Sequence, residues 1–341
     1  MDSKASPSLM QPGMLLRSSL IKSTHLERAN CRLCCPSAGR SPLRSSGSGH
    51  LKKLACGQHF EVFPAHSFFT LFENQMPPPP ATPATSKYYF WSLNGLLGAA
   101  FIIELCAPHS WADWDAVTLV LAAGASVAAL NRQLPLQNVL PAALIAATLG
   151  AIAHGLSAIP DLAVPFGPLI FNPAAGEKLF HAVPWTIPLL WIVAIFNARG
   201  TARLILRPWR KVKNYGYWLI GLTAALAVAF DLALEPFACR IRHYWLWQPT
   251  KLRLTWQGAT PLNFLGWAFV SLLILAFATP SLIRKQPGSS RAPDLHPLIL
   301  WLGALLWFAT SSASAGLWWP VGVDAAIAAV TAWFAIRGAK W

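Results

Sequence analysis

Residues 216–236 read G-Y-W-L-I-G-L-T-A-A-L-A-V-A-F-D-L-A-L-E-P. No charged side chain stands between Lys213 and Asp231. A helix needs about 20 apolar residues to cross a bilayer, and this stretch supplies them. It ends on two carboxyls four positions apart, followed by a proline. Four residues is close to one helical turn, so Asp231 and Glu235 share a face. Pro236 disfavours helical geometry in the residue before it, which predicts that the helix ends or bends there. The rest of the chain has the same character. Its 341 residues are 55% hydrophobic and 12% charged, with mean hydropathy +0.43. Soluble domains carry about 25% charged residues, so this chain has too little charge to coat a water-facing surface. A disordered chain needs the opposite bias. The fold class expected is all-α, a polytopic transmembrane helical bundle.

Working outward, apolar runs recur at about 90–108, 114–130, 138–159, 182–198, 216–236, 262–283, 296–314 and 319–336. This makes about eight spans, with seven as the alternative because the second, fourth and last are short or flanked by Gly and Pro. The loop 199–215 carries Arg199, Arg203, Arg207, Arg210, Lys211 and Lys213 and no acid. Basic loops stay cytoplasmic, so eight spans place both termini inside, and the expected location is a bacterial inner membrane. Asp113, Asp115, Asp161 and Glu177 fall on the opposite side. Arg240, Arg242, Lys251 and Arg253 fall there too, against the rule, unless a span is miscounted or they have local acidic partners. Residues 1–76 read as a disordered basic tail or a wrongly assigned extension ahead of Met76, and 77–89 as a proline-rich linker to the membrane domain at 90–336. Cys31, Cys34, Cys35 and Cys56 with His25, His50, His59 and His66 lack the paired spacing of a zinc site, so no metal is expected. Phosphate-loop, dinucleotide and zinc-hydrolase patterns are absent. The basic residues do not line an exposed helix, which leaves nucleic acid aside as a partner.

An ionisable side chain inside a span costs about 2.5–3.5 kcal/mol by insertion scales, so it needs a partner or a purpose. Glu104, His154, Asp231, Glu235 and Asp324 are such residues. Late positions in outward spans and early positions in inward spans lie at the same depth, so these groups and Asn263 gather toward one membrane face. Asp231 and Glu235 suit general acid–base work, because two buried carboxyls repel and one retains a proton. The alternative is an ion pair with Arg240 or Arg242 that anchors the helix end. For Glu104 the plainer reading is a carboxyl reaching the interface, for His154 helix packing, and for Asp324 a helix cap. The segment 159–181 is apolar but full of Pro and Gly. Irregular backbone of this kind either lines a protein cavity or lies on the membrane surface. Trp245, Trp247, Trp256 and Trp267 have the interfacial aromatic belt as their plainer reading.

Three segments together carry a family resemblance. They are V-P-F-G-P-L-I-F…G-E-K-L-F-H-A-V-P-W-T-I-P-L-L-W (164–191), D-L-A-L-E-P-F-A (231–238) and W-L-W…W-Q-G-A-T-P-L-N-F-L-G-W (245–267). Over roughly residues 90–335 the chain resembles the integral-membrane carotenoid biosynthesis family that includes the CruF-type carotenoid 1,2-hydratases and bisanhydrobacterioruberin hydratase. The family's G-P-Y-x-Y is Gly167, Pro168, Leu169, Ile170 and Phe171 here, its D-P is Glu235–Pro236, and Pro261 is displaced by one position. The resemblance implies a cofactor-independent hydratase that adds water across the terminal double bond of an acyclic carotenoid. The substrate would be lycopene-like or a longer acyclic relative, held within the bilayer, and other carotenoid enzymes are candidate partners. Protonating C-2 leaves a tertiary cation at C-1, which water captures. Asp231 is assigned as proton donor and Glu235 as water activator or relay. Asn263, Trp245, Trp247, Trp267, Phe166 and Trp191 are assigned to substrate binding. Glu104, His154 and Asp324 are further candidates. The alternatives are a carotenoid cyclase, which makes the same cation in a drier site, and a non-catalytic lipophile carrier or scaffold.

Overall fold

The computed structural model describes residues 84–106, 114–249, 254–283 and 293–341. The basic tail with its Cys and His residues lies outside these, as do Asp113, Lys251, Arg253, Arg284, Lys285 and Arg291. The described residues form eight long helices: α1 (Ala84–Cys106), α2 (Trp114–Asn131), α3 (Leu136–Ser157), α4 (Thr186–Ile205), α5 (Tyr215–Glu235), α6 (Pro261–Ala278), α7 (His296–Ser314) and α8 (Trp318–Ala339). All eight coincide with the expected spans. Seven are long and apolar enough to cross a membrane, and the protein is an integral membrane protein. The eighth, α4, starts four residues later than expected, after the short strands, and runs on to Ile205. It carries Asn197, Arg199 and Arg203, and it is the central helix, with 14 of its 20 residues buried. It packs against α2, α3, α5, α7 and α8. A central helix meets protein on every side rather than lipid, so it tolerates polar residues that find partners. Asn197 donates to Ser126 Oγ at 2.9 Å, and Arg199 donates to the Leu282 carbonyl at 3.1 Å.

Close helix contacts depend on small residues. A Cβ on Gly150 of α3 would lie 2.2 Å from the Trp191 ring of α4. Only glycine lets that indole lie against the α3 backbone. The cationic residues gather at the end of the bundle where α4 meets α5. There Arg203 reaches Gln133, which reaches Asp294. The opposite end carries the two irregular segments.

The first of these, 158–185, forms no α-helix. It contains strands β1 (Leu169–Phe171), β2 (Lys178–Leu179) and β3 (Val183–Pro184), the last two as a small hairpin. The second contains β4 (Trp245–Trp247), which pairs antiparallel with β1. Leu169, Ile170 and Phe171 face Trp247, Leu246 and Trp245 in turn. Side chains alternate along a strand. Leu169, Phe171 and Trp245 therefore turn inward while Ile170 and Leu246 stay exposed. The backbone of Phe166 is held by Ser157 Oγ at 3.0 Å, and its ring is fully buried. A Cβ on Gly266 of α6 would lie 2.6 Å from that ring, so the segment sits directly on the helix. The segment divides between its two readings: Phe166, Leu169 and Phe171 form a plug buried in the bundle, while 159–162 and 177–182 are exposed.

Candidate functional site

The helix of α5 does not stop at Pro236. It continues as a π-helical turn, Pro236–Ile241, in which the Arg242 amide bonds to the Phe237 carbonyl. Pro236 has no N–H, so the Leu232 carbonyl one turn earlier loses its helical donor. Trp256 Nε1 takes that place at 2.9 Å. The aromatic loop thus repairs the bond the proline removes and docks onto the last turn of α5.

That last turn carries the carboxyl pair. Asp231 and Glu235 are both buried, at 0% and 1% exposure. Asn263, at the start of α6, uses both amide hydrogens on them: Nδ2 lies 2.6 Å from Asp231 Oδ2 and 3.0 Å from Glu235 Oε1. Glu235 Oε2 accepts from Trp247 Nε1 at 3.0 Å, Trp245 Nε1 at 3.4 Å and the Cys239 thiol at 2.9 Å. Asp231 Oδ1 has no hydrogen-bond partner. Neither carboxyl is ion-paired among the described residues. Arg240 is exposed, and Arg242 goes elsewhere. The anchoring ion pair, the plainer reading of the pair, is therefore not what the structure holds.

The tryptophans also depart from a simple interfacial belt. Trp245 and Trp267 are buried, at 5% and 1% exposure. Trp267 stacks on Trp191 at 4.1 Å between ring centroids, with Phe166 6.2 Å from Trp191. His154 sits inside this aromatic group, 4.4 Å from Phe166 and 6.3 Å from Trp267. Its Nδ1 lies 3.1 Å from Trp191 Nε1 and 3.1 Å from the Gly150 carbonyl. An indole N–H only donates and a carbonyl only accepts, so Nδ1 stands between a donor and an acceptor at equal distance. Phe166, Trp191, Trp267 and His154 are thus one packed unit beside the carboxyl network.

Glu104 and Asp324 lie apart from the pair. Glu104 does not reach out to the interface. It is buried and accepts from Arg242 at 3.2 Å, and the same guanidinium holds Asp115 at 2.7 Å. The Tyr244 hydroxyl donates to the other oxygen of Asp115. Burial, then the Asp115 carboxylate, push the Tyr244 phenol above its ordinary range. Asp324 is not a helix cap: α8 begins at Trp318, and Asp324 is 1% exposed inside it with neither oxygen hydrogen-bonded.

A cavity of about 430 Å³ opens beside these groups. Its walls come from α2, α4, α5 and α7, with the 174–176 turn at one end. Phe230, Phe237, Trp307, Phe308 and Trp245 give it aromatic faces, and Asp115 and Tyr244 are its ionisable residues. Ligand pockets span about 300–1,000 Å³ and combine apolar walls with a few polar groups, which this one matches. Sequence reasoning counted Asp115 only as a charge on the side opposite the basic loop and passed over the Tyr244 hydroxyl. No spacing rule links residues 104, 115, 242 and 244. The one available signal was the excess of cations in 237–261, which asked for an acidic partner.

The carotenoid biosynthesis protein family model matches residues 114–331. The chain belongs to this family. The match takes in both carboxyl sites except Glu104, the plug and the cavity walls apart from Phe101. Membership gives the protein a role in carotenoid biosynthesis and implies a carotenoid substrate. No curated protein and no solved structure matches the chain.

Proposed function

We propose that this family member hydrates the terminal double bond of an acyclic carotenoid end group, in a bacterial inner membrane with both termini cytoplasmic. The observation that carries the reading is the buried Asp231–Asn263–Glu235 network, in which neither carboxyl is paired with a cation among the described residues. Two carboxyls joined through one amide cannot both carry charge cheaply in an apolar interior. Glu235 has four donors aimed at its oxygens, as a carboxylate requires. Asp231 has one donor and a bare oxygen, the natural seat for a proton.

An alkene is a weak base, so its protonation needs an acid held out of water. Asp231 supplies the proton to C-2, and the tertiary cation forms at C-1. Indole faces are suited to stabilise such a cation. Glu235 draws on the N–H groups of Trp245 and Trp247, which leaves their rings richer in negative charge. Water adds at C-1 and releases a proton, and the product is a tertiary alcohol. Neither a metal nor an organic cofactor is required by this chemistry.

The test is pigment analysis of a lycopene-producing bacterial host expressing the protein. A hydroxylated product that is lost in Asp231→Asn, with protein abundance retained, supports the reading. A ring-bearing product points to a cyclase, and unchanged pigments to a carrier.

A further inference from the structure

Asp231 and Glu235 are sealed in the bundle, so a substrate reaches them only if a side chain moves. Trp245 has the cavity on one side and the carboxyl pair on the other, with its N–H on Glu235 and its side chain in the cavity wall. Of the four donors to Glu235 it is the most distant, at 3.4 Å against 2.9–3.0 Å for the others. Without it, Oε2 keeps Trp247 and the Cys239 thiol, and Oε1 keeps Asn263. Turning the indole away therefore leaves no oxygen of Glu235 unpaired, which is the condition for a cheap movement. Trp245 is the first residue of β4, a three-residue strand paired on one edge by β1. Two-stranded ribbons are weakly held on their own. The cavity itself suits hydrocarbon. Asp115 uses its two oxygens on Arg242 and Tyr244, and the rest of the wall is apolar and aromatic. Val117 and Val120 line it and are 42% and 45% exposed, so its α2 wall also forms part of the outer surface of the bundle.

We infer that this cavity is the entry chamber for the carotenoid and that Trp245 is the door between it and the carboxyl pair. The inference rests on the hydratase reading and adds to it the route and the seat of the polyene. The branched end comes in from lipid past Val117 and Val120. The Trp245 indole turns off Glu235, and the end passes beyond it to Asp231. Both bond-forming steps then take place at the carboxyl pair and neither in the chamber. C-2 takes the proton of Asp231, C-1 takes the oxygen of water, and the proton that water loses goes to Glu235. One proton passed from Glu235 back to Asp231 restores the pair. The stretch of polyene behind the end group fills the chamber, and the remainder extends into lipid. Between turnovers the closed indole keeps bulk water from the acid, as a desolvated proton donor requires.

Thiol labelling of the full chain in membranes, with N-phenylmaleimide as an apolar probe, tests chamber and door separately. For the chamber, Ala304→Cys puts a thiol on its α7 wall in a chain whose native cysteines are serine. Lycopene should slow the labelling, and should do so equally in an Asp231→Asn background, where substrate binds without reacting. Labelling that lycopene leaves unchanged overturns the inference. For the door, Cys239 is the one cysteine kept, since its thiol lies on Glu235 Oε2 behind Trp245. Trp245→Leu should speed its labelling, and Ala304→Phe, which fills the chamber, should slow it again. Equal rates with Trp and Leu at 245, or no effect of Ala304→Phe, overturn the inference, because the probe then arrives by another path. Pigment analysis adds the activity. Ala304→Phe should lower hydration of lycopene at least ~100-fold at normal protein abundance, the scale of loss when a substrate is held out of place. Normal hydration in Ala304→Phe overturns the inference and leaves the hydratase reading intact. Protection of the Ala304→Cys thiol by lycopene, in a protein that forms no alcohol with Asp231 present, supports the chamber and removes the hydratase reading.

Discussion

Trp245 belongs to two sites at once: its indole N–H lies 3.4 Å from Glu235 Oε2, and its side chain walls the 430 Å³ cavity. The strand alternation that buries Trp245 and Phe171 exposes Leu246 between Trp245 and Trp247. Both flanking indoles consequently converge on one carboxylate. A polar network and an apolar chamber share a wall one residue thick.

That arrangement ranks the carboxyl variants. Glu235→Gln keeps the Asn263 side of the network but gives Oε2 a weaker acceptor or an N–H facing three donors. It should reduce hydrated product less than Asp231→Asn does, while lowering thermal stability more. Product yield and the detergent-solubilised melting temperature, measured on both variants, check the two rankings together.

Arg242 and Arg240 are neighbours with opposite expectations. Arg242→Ala leaves Glu104 and Asp115 buried without their shared cation, and breaking a buried pair costs about 3–5 kcal/mol. Protein abundance in membranes should fall sharply, and Glu104→Gln in the same chain should restore part of it. Arg240→Ala should change stability by no more than about 0.5 kcal/mol, because the side chain is exposed. Equal losses for the two would restore the anchoring role for Arg240.

Trp256 carries the bond that Pro236 cannot make. Trp256→Phe preserves the ring and leaves the Leu232 carbonyl without a donor, at a cost of about 1–3 kcal/mol. Replacing Pro236 by Ala restores a helical N–H, so the loss caused by Trp256→Phe should shrink in the Pro236→Ala background. A double-mutant cycle on melting temperature measures this coupling, and additive losses would contradict it.

Gly150→Ala forces a methyl into the Trp191 ring, and overpacking costs about 1–3 kcal/mol. Gly221, in α5, has nothing within 4 Å of its would-be Cβ. Gly221→Ala should be neutral or slightly stabilising, as alanine is the better helix former. Thermal melts of the two single variants provide the comparison.

The orientation has its own test. Lys213 and Asp161 are exposed at opposite ends of the bundle. With native cysteines replaced by serine, Lys213→Cys should resist an impermeant thiol reagent in intact cells and Asp161→Cys should react. The reverse pattern would invert the topology.

The helices were legible from the sequence because bilayer thickness imposes a length and lipid imposes an apolar composition, and both are local properties. Every expected span has its helix for that reason. The pairing of Asp231 with Glu235 was legible as well, since one helical turn is a fixed geometry. Asn263, 28 residues beyond Glu235, came into the reading only through depth and resemblance. The Arg242 partners were outside local reach altogether: Glu104 and Asp115 lie 138 and 127 residues away. Hydropathy marked α4 as a weak span, and its true place at the centre depends on five neighbours that no window along the chain contains. The sequence by itself determined a helical membrane protein of about eight spans, with seven as the alternative, and a carboxyl pair at a helix end. Tertiary structure alone decided that this pair sits behind Trp245 while Asp115 and Tyr244 face the cavity. Which side of a wall a side chain occupies depends on strand register and helix rotation, and these are settled by packing between distant segments.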